Sequence, residues 1–177
     1  PIGYHTDIPF SDTFDGKGYT ISNLKFKTHN GYGGLFGKLD STATIKNLNI
    51  YNCLGIIKIG DNSSGMGIIV GRCYGTVSNC HVTNSTLSSD DSFYTGGISG
   101  YTNGRIINCS VKNTTLEASL GSLGIITGYL HEGNIMNSYS CHNTVNKKST
   151  HNGGICGYGL NGTLTNCYVY SNNNVKG

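Results

Sequence analysis

The side chains of this 177-residue chain that could do chemistry include nine carboxylates, six histidines, seven cysteines and twelve tyrosines. Clustered carboxylates on one face would suit acid–base cleavage of a sugar linkage or would hold calcium. Asp61, Asp90, Asp91 and Glu117 are the acids that could line up, but they fall in polar loop-like stretches, without the Arg or Lys that a lyase sets against its substrate. They read as a solvated loop edge first and as a calcium or sugar stripe second. No two histidines stand at the spacing of a helical zinc motif, and no Cys-x-x-Cys pair exists, so a zinc site is not expected. Gly96-Gly97 and Gly153-Gly154 resemble phosphate loops only in composition, because no helix follows to cap an anion. No residue is therefore assigned to catalysis, a cofactor or a metal. Tyr101, Tyr129 and Tyr158 are the more promising set, since each follows the last glycine of a recurring frame. A stripe of such rings binds sugars or proteins, although cross-strand stacking alone also accounts for one. Together with Asp90, Asp91 and Glu117 they are the candidate partner-binding residues.

The elements that must position these tyrosines are an internal repeat. The phrase GGISGYTNGRIINCSV (96–111) returns as GIIVGRCYGTVSNCHV (67–82), GIITGYLHEGNIMNSYS (124–140) and GGICGYGLNGTLTNCYV (153–169), with an earlier copy over 33–50 and a half copy at 19–26. The asparagines Asn23, Asn47, Asn79, Asn108, Asn137 and Asn166 mark the register at intervals of 24, 32, 29, 29 and 29 residues. Gly is 27 of the 177 residues, and the apolar runs are short and rich in Ile, Val and Tyr; this composition favours strands over helices. Apolar positions recur at i, i+3 and i+5, as in Ile106/Cys109/Val111 and Leu164/Cys167/Val169. A straight strand would give i, i+2 and i+4, so the extra residue predicts a bend with the asparagine on it, a residue that tolerates left-handed backbone.

These periods predict an all-β, right-handed parallel β-helix (β-solenoid) of about six coils of roughly 24–32 residues, with three short strands per coil stacked at ~4.8 Å. Inward stacks follow: Leu35, Ile69, Ile98, Ile126 and Ile155 form one. Leu24, Leu48, Cys80, Cys109, Ser138 and Cys167 form another, which makes those cysteines small buried core residues. A Cys80–Cys109 disulfide, one coil apart, is the other reading. Residues 1–18 read as an N-terminal capping segment, with Phe10 and Phe14 lidding the core, and 19–177 as the repeats. The last coil is incomplete, as in a fragment of a longer protein whose other domains are its nearest partners. The surplus near Leu54–Ser64 reads as a corner loop.

Only 12% of residues are charged and the net charge is +3, with no basic run to read as a nucleic-acid face. No apolar stretch reaches the ~20 residues a membrane helix needs.

The run from Pro1 to Leu24, followed by Gly34-Leu35-Phe36-Gly37, resembles proteins that carry GLUG repeats, named for a Gly-Leu-any-Gly motif. Later copies relax it to Gly-Ile-any-Gly (97–100, 154–157) or Ile-Ile-any-Gly (68–71, 125–128), and the Asn-Cys-x-Val element is also similar. The resemblance implies a non-catalytic, adhesin-like module of a larger extracellular or surface protein, with a glycan or a surface protein as partner. It carries no catalytic residues and no cofactor. Two other readings stand beside it. One is a structural element of a viral capsid, filament or appendage, stacking end to end with another chain. The other is a carbohydrate-active enzyme, a polysaccharide lyase or glycoside hydrolase.

Overall fold

The computed structural model describes residues 2–3, 7–28, 31–57, 65–90, 92–147, 149–170 and 174–175. The described chain is all-β, with every strand pairing parallel to its neighbour one coil away. It is a parallel β-solenoid of about five turns, one fewer than the repeat count predicts. The walls are four sheets, of ten, six, four and five strands among the described residues.

One coil shows the logic. Ser99–Thr102 lies in the five-stranded sheet, Arg105–Ile107 and Ser110–Lys112 in the ten-stranded sheet, Thr115–Ala118 in the six-stranded sheet and Ser122–Gly124 in the four-stranded sheet. A coil thus holds five short segments where three were expected. The Gly-Gly-Ile frame, taken as one strand, is two: Tyr94–Gly96 ends at a bend and Ser99–Thr102 begins a new wall. The asparagine also interrupts its strand in the later coils.

That asparagine adopts the left-handed backbone its position requires: φ is 54° at Asn47, 51° at Asn79, 54° at Asn108, 49° at Asn137 and 51° at Asn166. A second rank follows five residues on, at Asn52, Asn84, Asn113 and His142, with φ between 48° and 55°. The amides also link neighbouring coils, with Asn79 Nδ2 donating to Asn47 Oδ1 at 2.8 Å and Asn166 Nδ2 to Asn137 Oδ1 at 3.2 Å. Asn108→Val should cost about 1–2 kcal/mol, the penalty of a side chain in this conformation, whereas Asn108→Gly should be near neutral. Urea midpoints of the two variants measure the difference.

The second rank explains an error of register at the start. Sequence alone places Asn23 at the head of the Asn47 ladder, at an anomalous interval of 24. In the structure Ile21 pairs with Ile50, and Asn23 Oδ1 accepts from Asn52 Nδ2 at 2.7 Å. Asn23 therefore opens the second rank, 29 residues from its partner. The Asn47 amide instead donates to the Asp15 carboxylate at 3.0 Å, from a residue that itself pairs with Lys46. Phe14 pairs with Ile45 and heads the stack Ile45–Val77–Ile106–Ile135–Leu164, packing edge-on against Phe36 at 5.4 Å. Phe10 packs on the same ring at 5.1 Å.

The inward stacks are buried. Ile69, Ile98 and Ile126 are fully buried, as are Cys80, Cys109 and Ser138. Cys80 and Cys109 donate to the carbonyls of Ser78 and Ile107 at 3.2 and 3.3 Å. Burial holds the Cys109 thiol well above its usual range and pushes Cys73 up to about 12. In the last coil Leu164 and Val169 keep their register with Ile135 and Ser140 and are 51% and 48% exposed.

At Gly71, Gly100, Gly128 and Gly157 the last glycine of the frame is required by close approach. A Cβ on Gly128 would fall on the backbone nitrogen of Thr95, and one on Gly100 on that of Met66. Gly128→Ala should therefore destabilise the solenoid by about 1–3 kcal/mol. Gly159→Ala, whose Cβ would meet nothing within 4 Å, is the matched control in the same denaturation series.

Candidate functional site

On the five-stranded sheet the residue after each frame glycine points outward, so stacking the coils stacks those residues. The register runs Lys38–Arg72–Tyr101–Tyr129–Tyr158. Tyr101 and Tyr129 meet edge to face at 5.4 Å, and Tyr129 and Tyr158 are tilted at 5.3 Å. The three tyrosines singled out from sequence thus form one continuous ladder along the solenoid axis.

The structure adds residues that sequence reasoning missed. Tyr94, across the bend on the four-stranded sheet, lies 4.8 Å from Tyr129 and 6.0 Å from Tyr101. Tyr74 approaches Tyr101 at 5.8 Å, and the His131 ring stacks on Tyr101 at 6.0 Å. The Arg72 guanidinium sits between two rings, 4.8 Å from Tyr32 and 5.0 Å from Tyr101, a cation–π arrangement on both faces. Lys38 lies 5.5 Å from the Tyr74 ring. A signal for two of these was present: Lys38 and Arg72 occupy, in the first two frames, the place that tyrosine takes in the last three. Tyr94 carried no such signal, because it reaches the edge from the neighbouring wall; Tyr74 sits at the bend that follows Val70–Cys73 of the same wall.

The edge is amphipathic. Burial against these neighbours raises the Tyr101 hydroxyl above its usual range, with Tyr74 adding to the effect, and burial does the same at Tyr129. Both hydroxyls are therefore neutral donor–acceptors at physiological pH. Tyr158, at the end of the ladder, is 43% exposed.

A second aromatic patch lies on the ten-stranded sheet. Tyr139 and Tyr168 stack with parallel rings at 4.9 Å, and Lys112 sits 4.9 Å from the Tyr139 ring.

The acidic candidates are elsewhere. Asp90 and Glu117 line a concavity of about 240 Å³ at the edge of the six-stranded sheet. Glu117 lies in register between Ser88 and Asn146, and its carboxylate accepts from Asn146 Nδ2 at 2.9 Å. Of the expected corner loop Leu54–Ser64, Leu54–Ile57 is instead a strand of the six-stranded sheet; residues 58–64, Asp61 among them, and Asp91 lie outside the described residues. Among the described residues no three His, Cys, Asp or Glu side chains converge as a metal site would need.

Parallel walls, a recurring coil and left-handed asparagines at recurring bends define a β-solenoid repeat protein. Residues 91–116, most of one coil and including Tyr94 and Tyr101, match the model of the GLUG motif. A stretch of 78 residues, 42% of the chain, is 42% identical to halomucin of Haloquadratum walsbyi, and the match covers 1% of that protein. A solved structure from Bacteroides ovatus, described as a candidate immunoglobulin A1 protease, superposes with a TM-score of 0.56. That alignment covers 97% of this chain and 63% of the other at 20% identity, a likeness of fold alone. The chain thus spans a minute part of halomucin and less than two thirds of the Bacteroides protein.

Proposed function

We propose that this solenoid is a non-catalytic, adhesin-like module of a larger extracellular or cell-surface protein, and that it binds a glycan along its tyrosine edge. The observation that carries the reading is the unbroken Tyr101–Tyr129–Tyr158 ladder, reinforced by Tyr94 from the next wall. Rings at intervals of about 5 Å along a rigid axis offer apolar surface and neutral hydroxyls together, the combination an uncharged, hydroxyl-rich chain requires. The backbone behind the ladder is pinned by coil-to-coil hydrogen bonds, so little ordering accompanies binding. A likeness to a protein named halomucin supports an extracellular or surface setting, and the GLUG motif supports a repeat module over an enzyme.

The test is a glycan array probed with the purified chain, with each hit then followed for release of new reducing ends. Retention without turnover, lost when the three tyrosines become alanine, is the expected result. Turnover of a bound glycan would replace this reading with the enzyme one. Retention only of a surface protein would move the edge to a protein partner.

A further inference from the structure

The tyrosine edge ends in a cleft that has its own chemistry. Phe93, Tyr94, Leu120 and Tyr158 wall it, Thr150 and His151 form part of its rim, and it encloses about 480 Å³. That volume is within the range of small-ligand sites. We propose that this cleft is a subsite for a single neutral pyranose unit. The proposal rests on the glycan reading of the edge and specifies what its terminal site holds.

The cleft is built across successive turns of the solenoid, each held by the next. Ser122 N donates to the carbonyl of Phe93 at 2.7 Å, and Thr150 N donates to the carbonyl of Gly121 at 2.8 Å. Gly121 has φ of 68°, and a Cβ there would strike the Phe93 carbonyl. Glycine is what allows the turns to close this tightly. Phe93 and Tyr94 are 6.2 Å apart with planes at 52°, and His151 stands 5.2 Å from Tyr158 at 55°. The rings are therefore splayed around a hollow and leave room for a flat ligand between them.

The polar rim has a defined sense. Thr150 Oγ1 donates its one proton to the Gly121 carbonyl at 2.9 Å. Its contact with His151 Nδ1 at 3.0 Å must then be one in which the ring nitrogen donates. His151 Nε2 is left as an acceptor, and a sugar hydroxyl is the matching donor. Among the described residues that line the cleft there is no Lys, Arg, Asp or Glu, so this described lining offers a charged ligand no partner, and burying one unpaired would be costly. A wholly apolar ligand would fill the rings and desolvate the Thr150–His151 rim with no return. A pyranose satisfies both halves, with its C–H face on the rings and its hydroxyls at the rim.

Saturation-transfer NMR of the 177-residue chain with methyl glycosides of neutral hexoses and N-acetylhexosamines tests this directly. At least one glycoside should receive saturation on its ring C–H protons. Leu120→Trp, which fills the cleft from a residue 45% exposed, and His151→Ala should each weaken that transfer roughly tenfold, the scale of one lost contact. Tyr51→Ala, at an exposed position of the ten-stranded sheet, should leave it unchanged, and circular dichroism confirms that each variant is folded. Transfer to no neutral glycoside would overturn the subsite, as would transfer that survives Leu120→Trp or a cleft filled only by an apolar peptide. The edge itself is scored separately, by retention of long glycans in affinity electrophoresis. Retention that survives Leu120→Trp but is lost in Tyr101→Ala/Tyr129→Ala, with no glycoside transfer, sinks the subsite and keeps the edge. Glycoside transfer with no such dependence on Tyr101 and Tyr129 sinks the edge and keeps the subsite.

Discussion

Tyr101→Ala/Tyr129→Ala/Tyr158→Ala should lose glycan affinity by roughly 100-fold or more. Two well-placed aromatic contacts of about 2 kcal/mol each would already exceed that factor. The three rings stand in register on one wall, so removing them takes away both the apolar surface and the hydroxyls of the ladder. The loss should be smaller than the sum of the single variants, because Tyr94 and His131 touch more than one of the rings and remain in place. Some stability will also go, since each ring pair contributes about 0.5–1.5 kcal/mol. The affinity comparison is therefore made at a temperature where circular dichroism shows both proteins folded. A folded triple variant that binds as tightly as the parent would remove the edge from consideration.

The second large effect separates two adjacent residues. Ile106→Asp should unfold the chain or cost about 4–5 kcal/mol, while Ile107→Asp should stay within about 1 kcal/mol of the parent. Ile106 is fully buried between Val77 and Ile135 of the coils on either side. A carboxylate there would meet only apolar side chains and would either remain unpaired or take up a proton. Ile107, one residue on, points to the other face, in rank with Ser78 and Met136, where water solvates the charge. Thermal melts of the two variants read the result. Equal damage from both would mean that the wall faces are assigned wrongly.

The asparagine ladder shows how far local rules reach. A residue inserted into an i, i+2, i+4 pattern demands left-handed backbone, and each asparagine of the ladder from Asn47 to Asn166 has it. Close coil-to-coil approach likewise calls for glycine, and the paired glycines were visible as a fixed frame. The same rules failed at Asn23, because two ranks of asparagine five residues apart carry nearly identical neighbours. Only the pairing of Ile21 with Ile50, a contact across a whole coil, chooses between them. The split of the Gly-Gly-Ile frame into two strands escaped for a related reason, since the bend lies within a run whose residues are all compatible with extended chain.

For the candidate site the division is similar. The sequence by itself determined that this protein stacks parallel coils and that Tyr101, Tyr129 and Tyr158 repeat at one position of them, because position within a coil is a matter of period. It also placed Lys38 and Arg72 on that line, where they could have been read. The tertiary structure alone decided that Tyr94, Tyr74 and His131 join the ladder, that Asp90 and Glu117 share a separate concavity, and that Phe93, Leu120 and His151 open a cleft beside Tyr158. The meetings across walls, such as that of Tyr94 with Tyr129, depend on the angles at which the walls join, which are set by side-chain packing across the core and not by residue spacing. His131 and Tyr74 belong to the ladder's own wall and the bend after it, so their contacts depend on side-chain direction there.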